Sequence, residues 1–235
     1  MAATDRIRLG IVTGSGPDAG IDLWQQVLDE VRQTMGSNYG GDLDAPHIVV
    51  VSEPQLGLSM DLEAHYEDVW QTLEGTLRQL APQVDAYGIA CNTLNQYEDR
   101  ISALNLSAKL ISPMSAVEDF VREESIANVA LVGAKPVMEM GAYSAYQHLP
   151  DIVDVTTDSN LDDWQQLIFD VKRIGPDAPS VEARYAELLG RISADTILLA
   201  CTELPLIKAP DVSARLVDVT RLLARALARL HLDRH

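Results

Sequence analysis

Five short apolar runs, at residues 7–12, 47–51, 84–90, 128–133 and 196–200, fix the class of fold open to this chain. They are nearly free of the apolar–polar alternation of a half-wet sheet, so they read as strands buried on both faces. Between them the apolar residues return at helical spacing. Tyr66, Val69, Leu73, Leu77 and Leu80 form one stripe, and Ile21, Trp24, Val27, Leu28 and Val31 form another. Helices are expected over 18–35, 62–80, 115–124, 138–146, 162–174, 181–192 and 220–230, with brief strands at 109–112 and 152–155. Strand alternating with helix predicts an α/β fold with a parallel sheet, whose ligands bind beyond the carboxyl ends of the strands.

The order of segments also repeats. A strand and loop at 9–14 precede the strand that ends at Cys91, and a strand and loop at 130–134 precede the one that ends at Cys201. The expected architecture is two pseudo-symmetric lobes, each a mostly parallel sheet flanked by helices, with the active site in the cleft between them. The first lobe is expected over 1–112 plus 213–235 and carries Cys91; the second, over 113–212, carries Cys201. No stretch has the composition of a disordered linker, so the lobes are expected to pack closely.

Length and charge narrow the partners. At 235 residues the chain can bury a sizeable core. Its 18 Lys and Arg against 35 Asp and Glu give a net charge of −17, which argues against a nucleic-acid or anionic-membrane partner because nothing offsets phosphate repulsion. No apolar run reaches membrane-spanning length, and residues 1–9 carry charges and no apolar signal region. Two cysteines are too few for a secreted disulfide scaffold. A cytoplasmic location is expected, with a single Cys91–Cys201 disulfide as the alternative fate of the pair.

Those two cysteines carry the chemistry. Each follows an apolar run and an alanine, and each precedes a small polar residue: Ala90-Cys91-Asn92-Thr93 and Ala200-Cys201-Thr202-Glu203. A cysteine at a strand's carboxyl end, with a helix starting behind it, points into the crevice and has its pKa lowered by the helix N-terminus. The same N–H groups, with the side chains of Asn92, Thr93 and Thr202, are ready donors for a carboxylate. Two buried structural thiols are the ordinary alternative for either cysteine alone; the repetition favours a functional pair. Two thiols flanking one small molecule suit a two-base proton transfer at a stereocentre, with donors aimed at the carboxylate stabilising the developing carbanion.

The remaining candidates are weaker. Gly14-Ser15-Gly16 lacks the lysine of a phosphate-binding loop, and as a loop opening a helix it is expected to lend N–H groups to the carboxylate pocket. Lys135 follows a strand end, where it meets an anionic substrate or, alternatively, solvent. Glu203 orients its neighbours, acts in proton transfer, or simply complements a helix start. The five histidines, His47, His65, His148, His231 and His235, have no metal-ligand spacing, so no metal is expected. Trp24, Trp70 and Trp164 are expected to pack in the core.

Over nearly its whole length the sequence resembles the cofactor-independent aspartate/glutamate racemase superfamily. The Cys91-Asn92-Thr93 and Cys201-Thr202-Glu203 triplets look like that family's paired catalytic signatures, and Thr13-Gly14-Ser15-Gly16-Pro17 is similar to its first loop, normally Gly-Gly-Met-Gly-Pro. Residues 185–206 look like the family's approach to the second cysteine. Lys172 matches a lysine-bearing segment used near the substrate. The resemblance implies Cys91 and Cys201 as general acid and base, no pyridoxal phosphate or metal, often a homodimer, and racemisation of aspartate, glutamate or a related amino acid. Departures bear on the substrate: 52–60 holds no basic residue where aspartate racemases commonly carry arginine, Leu94-Asn95 stands where a small residue and His are usual, and Ala134 replaces a common threonine. A decarboxylase or maleate-type isomerase of the same superfamily, and a non-catalytic amino-acid-binding relative, are the rival expectations.

Overall fold

A computed structural model describes residues 6–234. Residues 1–5 and His235, which entered the expectations above through the ends of the first lobe and the histidine survey, lie outside the described residues.

Strands β1 (Arg8–Thr13), β2 (His47–Ser52), β3 (Ala86–Ile89) and β4 (Lys109–Leu110) form one sheet in the order β2-β1-β3-β4. Strands β5 (Asn128–Gly133), β6 (Asp154–Thr156), β7 (Thr196–Ala200) and β8 (Arg215–Asp218) form a second in the order β6-β5-β7-β8. Every pairing is parallel. Both sheets follow one pattern, so the repeat in the sequence is a repeat in space. Interior strands β3 and β7, which deliver Cys91 and Cys201, hold equivalent places. The expected lobe boundary after residue 212 needs correction: β8 pairs with β7 from Thr196 opposite Arg215 to Leu199 opposite Asp218, so the second sheet runs on to Asp218. Four residues with only Leu216 and Val217 apolar are too short a run to stand out as a strand.

The helices are α1 (Pro17–Met35), α2 (Leu62–Leu80), α3 (Glu98–Ala103), α4 (Pro113–Glu123), α5 (Lys135–Glu139), α6 (Leu161–Ile174), α7 (Pro179–Leu189) and α8 (Val219–Leu232). They cover both faces of each sheet, which is why the central strands are apolar throughout. Leu9 and Ile11 of β1 pack with Val27 of α1 and Leu227 of α8, while Val12 turns to the α2 side with Leu73 and Leu77. Leu131 of β5 faces Phe120 of α4, and Val132 faces Trp164 and Ile168 of α6. Helix α8 serves both lobes. Its Leu223 and Leu227 join the first core, and its Val219 and Leu222 join the second.

Two expected helical segments differ from those found. The helix over 138–146 is only α5, ended by Met140 in the left-handed region (φ 49°). Ser144 then donates to the Val137 carbonyl (3.0 Å) and accepts from the Tyr146 N–H (3.1 Å), a fold-back that buries the Tyr146 ring. In α1 the buried stripe runs through Leu23, Val27 and Val31; Ile21 and Trp24 lie outside, Trp24 being 44% exposed. Trp70 and Trp164 are buried.

Candidate active site

Cys91 and Cys201 come from different lobes, both as free buried thiols, and both line one cavity at the carboxyl ends of β3 and β7. Ser15, Asn92, Thr93, Lys172, Thr202 and Glu203 line it with them, so all but two of the expected site residues converge. The cavity is tight. Its free space of about 10 Å³ for a water's centre is roughly one water molecule's worth.

On the second-lobe side the expectation of a helix start behind the cysteine fails. Thr202 and Glu203 lead into a single 3₁₀ turn at Leu204–Leu206, with no α-helix to lend a dipole. Glu203 organises this half instead. The Cys201 thiol donates to Glu203 Oε2 at 3.0 Å, and the Thr202 hydroxyl donates to the same oxygen at 3.1 Å. The Lys172 ammonium pairs with Glu203 Oε1 and donates to the Ser15 carbonyl at 3.1 Å, a clasp from the second lobe to the first. Burial, then the Glu203 charge, pushes the Cys201 thiol well above its ordinary value, the reverse of the lowering expected for a helix start. Burial works against the Lys172 charge; the Glu203 carboxylate and the two cysteines together outweigh it, and the ammonium's pKa is raised.

The Cys91 half is built from neutral groups. A 3₁₀ stretch, Thr93–Tyr97, follows the cysteine before α3 begins, so here too no α-helix starts directly behind it. Asn95, absent from the sequence expectations as a site residue, donates from its amide to the Cys91 carbonyl (2.8 Å) and the Ile89 carbonyl (3.3 Å). It thereby fixes the turn that presents the sulfur. Cys91 Sγ lies 3.7 Å from the Ser15 hydroxyl, which shares a 2.8 Å hydrogen bond with the Ser59 hydroxyl. The Tyr146 hydroxyl, from the second lobe, donates to Asn92 Oδ1. That bond assigns the amide: with its oxygen occupied by Tyr146, Asn92 keeps its NH₂ as the group free to donate to a ligand. Burial, then the two cysteines, raises the Tyr146 phenol, so it stays a donor. Tyr146 gave no signal in the sequence, where it sat at the end of an expected helix.

Gly14 and Lys135 fall outside this cavity. Gly14 lines a second space of about 200 Å³ that shares Met60, Lys172 and Glu203 with the first and adds Gly16, Pro17, Asp18, Gly57, Val171, Pro176 and Leu206. This vestibule lies on the other side of the clasp. Gly16 is required at its edge: at φ 100° an added Cβ would stand 2.1 Å from Glu203 Oε1 and 2.9 Å from Lys172 Nζ. Lys135 instead pairs with Asp162 at 2.8 Å on the surface, its charge drawn there by the nearest carboxylate. Among the described residues no three His, Cys, Asp or Glu side chains gather as a metal site, and no helix is long and apolar enough to cross a membrane.

Comparisons with known proteins agree with the two-sheet fold. A family model described as Asp/Glu/Hydantoin racemase matches residues 12–227. Among solved structures, the aspartate racemase of Picrophilus torridus superposes with a TM-score of 0.76 at 18% identity, over 95% of this chain and 93% of that one. An aspartate racemase homologue from Pyrococcus horikoshii OT3 gives 0.68 at 21%, over 96% and 99%. Glutamate racemase from Thermus thermophilus, in complex with β-chloro-D-alanine, gives 0.60 at 19%, over 96% and 80%. These likenesses establish a shared two-lobed fold. No curated protein matches the sequence significantly.

Proposed function

Because the chain belongs to the Asp/Glu/Hydantoin racemase family, we propose that it racemises an amino acid bearing a free α-carboxylate, with Cys91 and Cys201 as the two bases. The observation that carries the reading is the convergence of two thiols, one from each lobe, on a single cavity lined also by Ser15, Asn92, Thr93, Thr202 and the Lys172–Glu203 pair. No cofactor is needed in this scheme.

One sulfur, as thiolate, takes the α-proton from one face of the substrate. The C–H electron pair passes into the carboxylate, giving an enediolate-like carbanion. The opposite thiol delivers its proton to the other face and becomes the thiolate, so configuration inverts and atoms balance. In this scheme Ser15, Thr93 and the Asn92 amide, all lining the cavity, donate to the carboxylate as its charge grows, the interaction that lowers the barrier. Cys201 faces an acceptor-only carboxylate and keeps its proton at rest, while the Cys91 thiol donates to the Ser15 hydroxyl; which sulfur acts first depends on the enantiomer presented.

The experiment is incubation with single L-amino acids in heavy water, followed by chiral separation and detection of deuterium at the α-carbon. Wild-type protein is expected to give both inversion and exchange. Cys91→Ala and Cys201→Ala are each expected to lose about 10²–10⁴-fold in rate, the usual worth of a positioned acid or base. Full activity in either variant would rule out the two-base scheme; carbon dioxide release would favour decarboxylation instead.

A further inference from the structure

Resting on the racemase reading, we infer that the substrate is an amino acid with an uncharged, largely apolar side chain, held in the vestibule beyond the Lys172–Glu203 clasp. The argument is one of charge and lining. Lys172 is the one cation lining either cavity among the described residues, and it is already engaged by Glu203 and the Ser15 carbonyl. Lys172 and Glu203 cancel. The ammonium and carboxylate of an amino acid also cancel, so an uncharged side chain adds no net charge to the site. An acidic side chain brings a second carboxylate that no cation lining either cavity is free to meet. Lys172 cannot turn to it without stranding Glu203, which is buried and would then be an unpaired charge.

The vestibule sharpens the point. It adjoins the cysteine cavity along Met60, Lys172 and Glu203, so a side chain projecting from an α-carbon between the sulfurs is directed into it along the shared Met60 wall, with the clasp intact. Its walls are Met60, Val171, Leu206, Pro17 and Pro176, and the charge it adds is Asp18, which repels a carboxylate further. The only other lysine expected at the site, Lys135, is paired with Asp162. About 200 Å³ of apolar-walled space suits a side chain of the size of methionine or leucine.

Full-length protein is tested for α-deuterium exchange with L-methionine, L-leucine, L-aspartate, L-glutamate, L-lysine and L-arginine, each at several concentrations. Expected is a kcat/KM for methionine or leucine at least about tenfold above that for the acidic and basic amino acids, the scale on which pockets discriminate. Equal or faster exchange of aspartate or glutamate, or a preference for lysine or arginine, overturns the inference and leaves the racemase reading standing. Exchange with none of the six overturns both. A second measurement uses Met60→Lys, which places a free cation where the two cavities meet. The aspartate-to-methionine ratio of kcat/KM is expected to rise by about tenfold or more; an unchanged ratio counts against the assignment.

Discussion

Tyr146 orients Asn92 next to Cys91, and Glu203 holds the Cys201 thiol; neither effect reduces to packing. Tyr146→Phe removes the hydrogen bond that orients the Asn92 amide while keeping the ring that fills the second core. Its kcat is expected to fall by about tenfold, with KM and melting temperature nearly unchanged. A fall in melting temperature alone, with kcat intact, would mark the tyrosine as a packing residue. Glu203→Gln takes a negative charge from beside Cys201. Because that charge raises the thiol, its loss moves the Cys201 titration to lower pH, read as thiolate absorbance or as a shifted alkaline limb of the pH–rate profile. At this scale the sequence was informative where a residue type was rare and repeated. Two cysteines after two matching apolar runs could be found by inspection. Lys172 was visible only through the family likeness, since a lysine on a helix has no local mark of being folded inward. Asn95 and Tyr146 act through hydrogen bonds that depend on a tight turn and a chain reversal, and periodicity registers neither.

Helices α1 and α8 meet at a polar cluster that the sequence did not announce, since its members lie far apart in the chain. The Gln26 amide donates to Asp22 at 2.7 Å and to Asp218, the N-cap of α8, at 2.8 Å. Burial, then the charge of Asp218, pushes Asp22 up to about 6. A carboxyl whose folded pKa is raised holds its proton longer in the folded state, so it lowers stability as pH rises from about 4 to 6 and the penalty is complete above that window. Asp22→Asn is therefore expected to stabilise the protein at pH 7 by about 1 kcal/mol after allowance for solvent screening. Urea midpoints should show that gain vanish toward pH 4. Elements whose burial pattern is strong, such as β1, β3, β7 and α2, were legible because one apolar face dominates them. The short ones failed: α5 is cut by a left-handed residue, and β8 has too few apolar positions to be seen.

The two lobes share α8, which places leucines in both cores, and this couples their folding. Leu227→Ala removes a fully buried side chain from the first core and should cost about 2–5 kcal/mol. Thermal unfolding is expected to remain one transition that shifts downward; two separate transitions would mean that α8 does not tie the lobes. The pseudo-symmetry was readable because it repeats the same order of strands and loops, whereas the packing of α8 against both cores, and not the first alone, is something no local pattern records. The clasp over the cavity has a further consequence for the molecule's durability. Sulfhydryls behind Lys172 and Glu203, with space for a single water, are poorly reached by iodoacetamide or peroxide, so the protein should age slowly under oxidising conditions. Lys172→Ala should speed alkylation of Cys91 and Cys201 about tenfold or more, as counted by mass spectrometry of the intact chain.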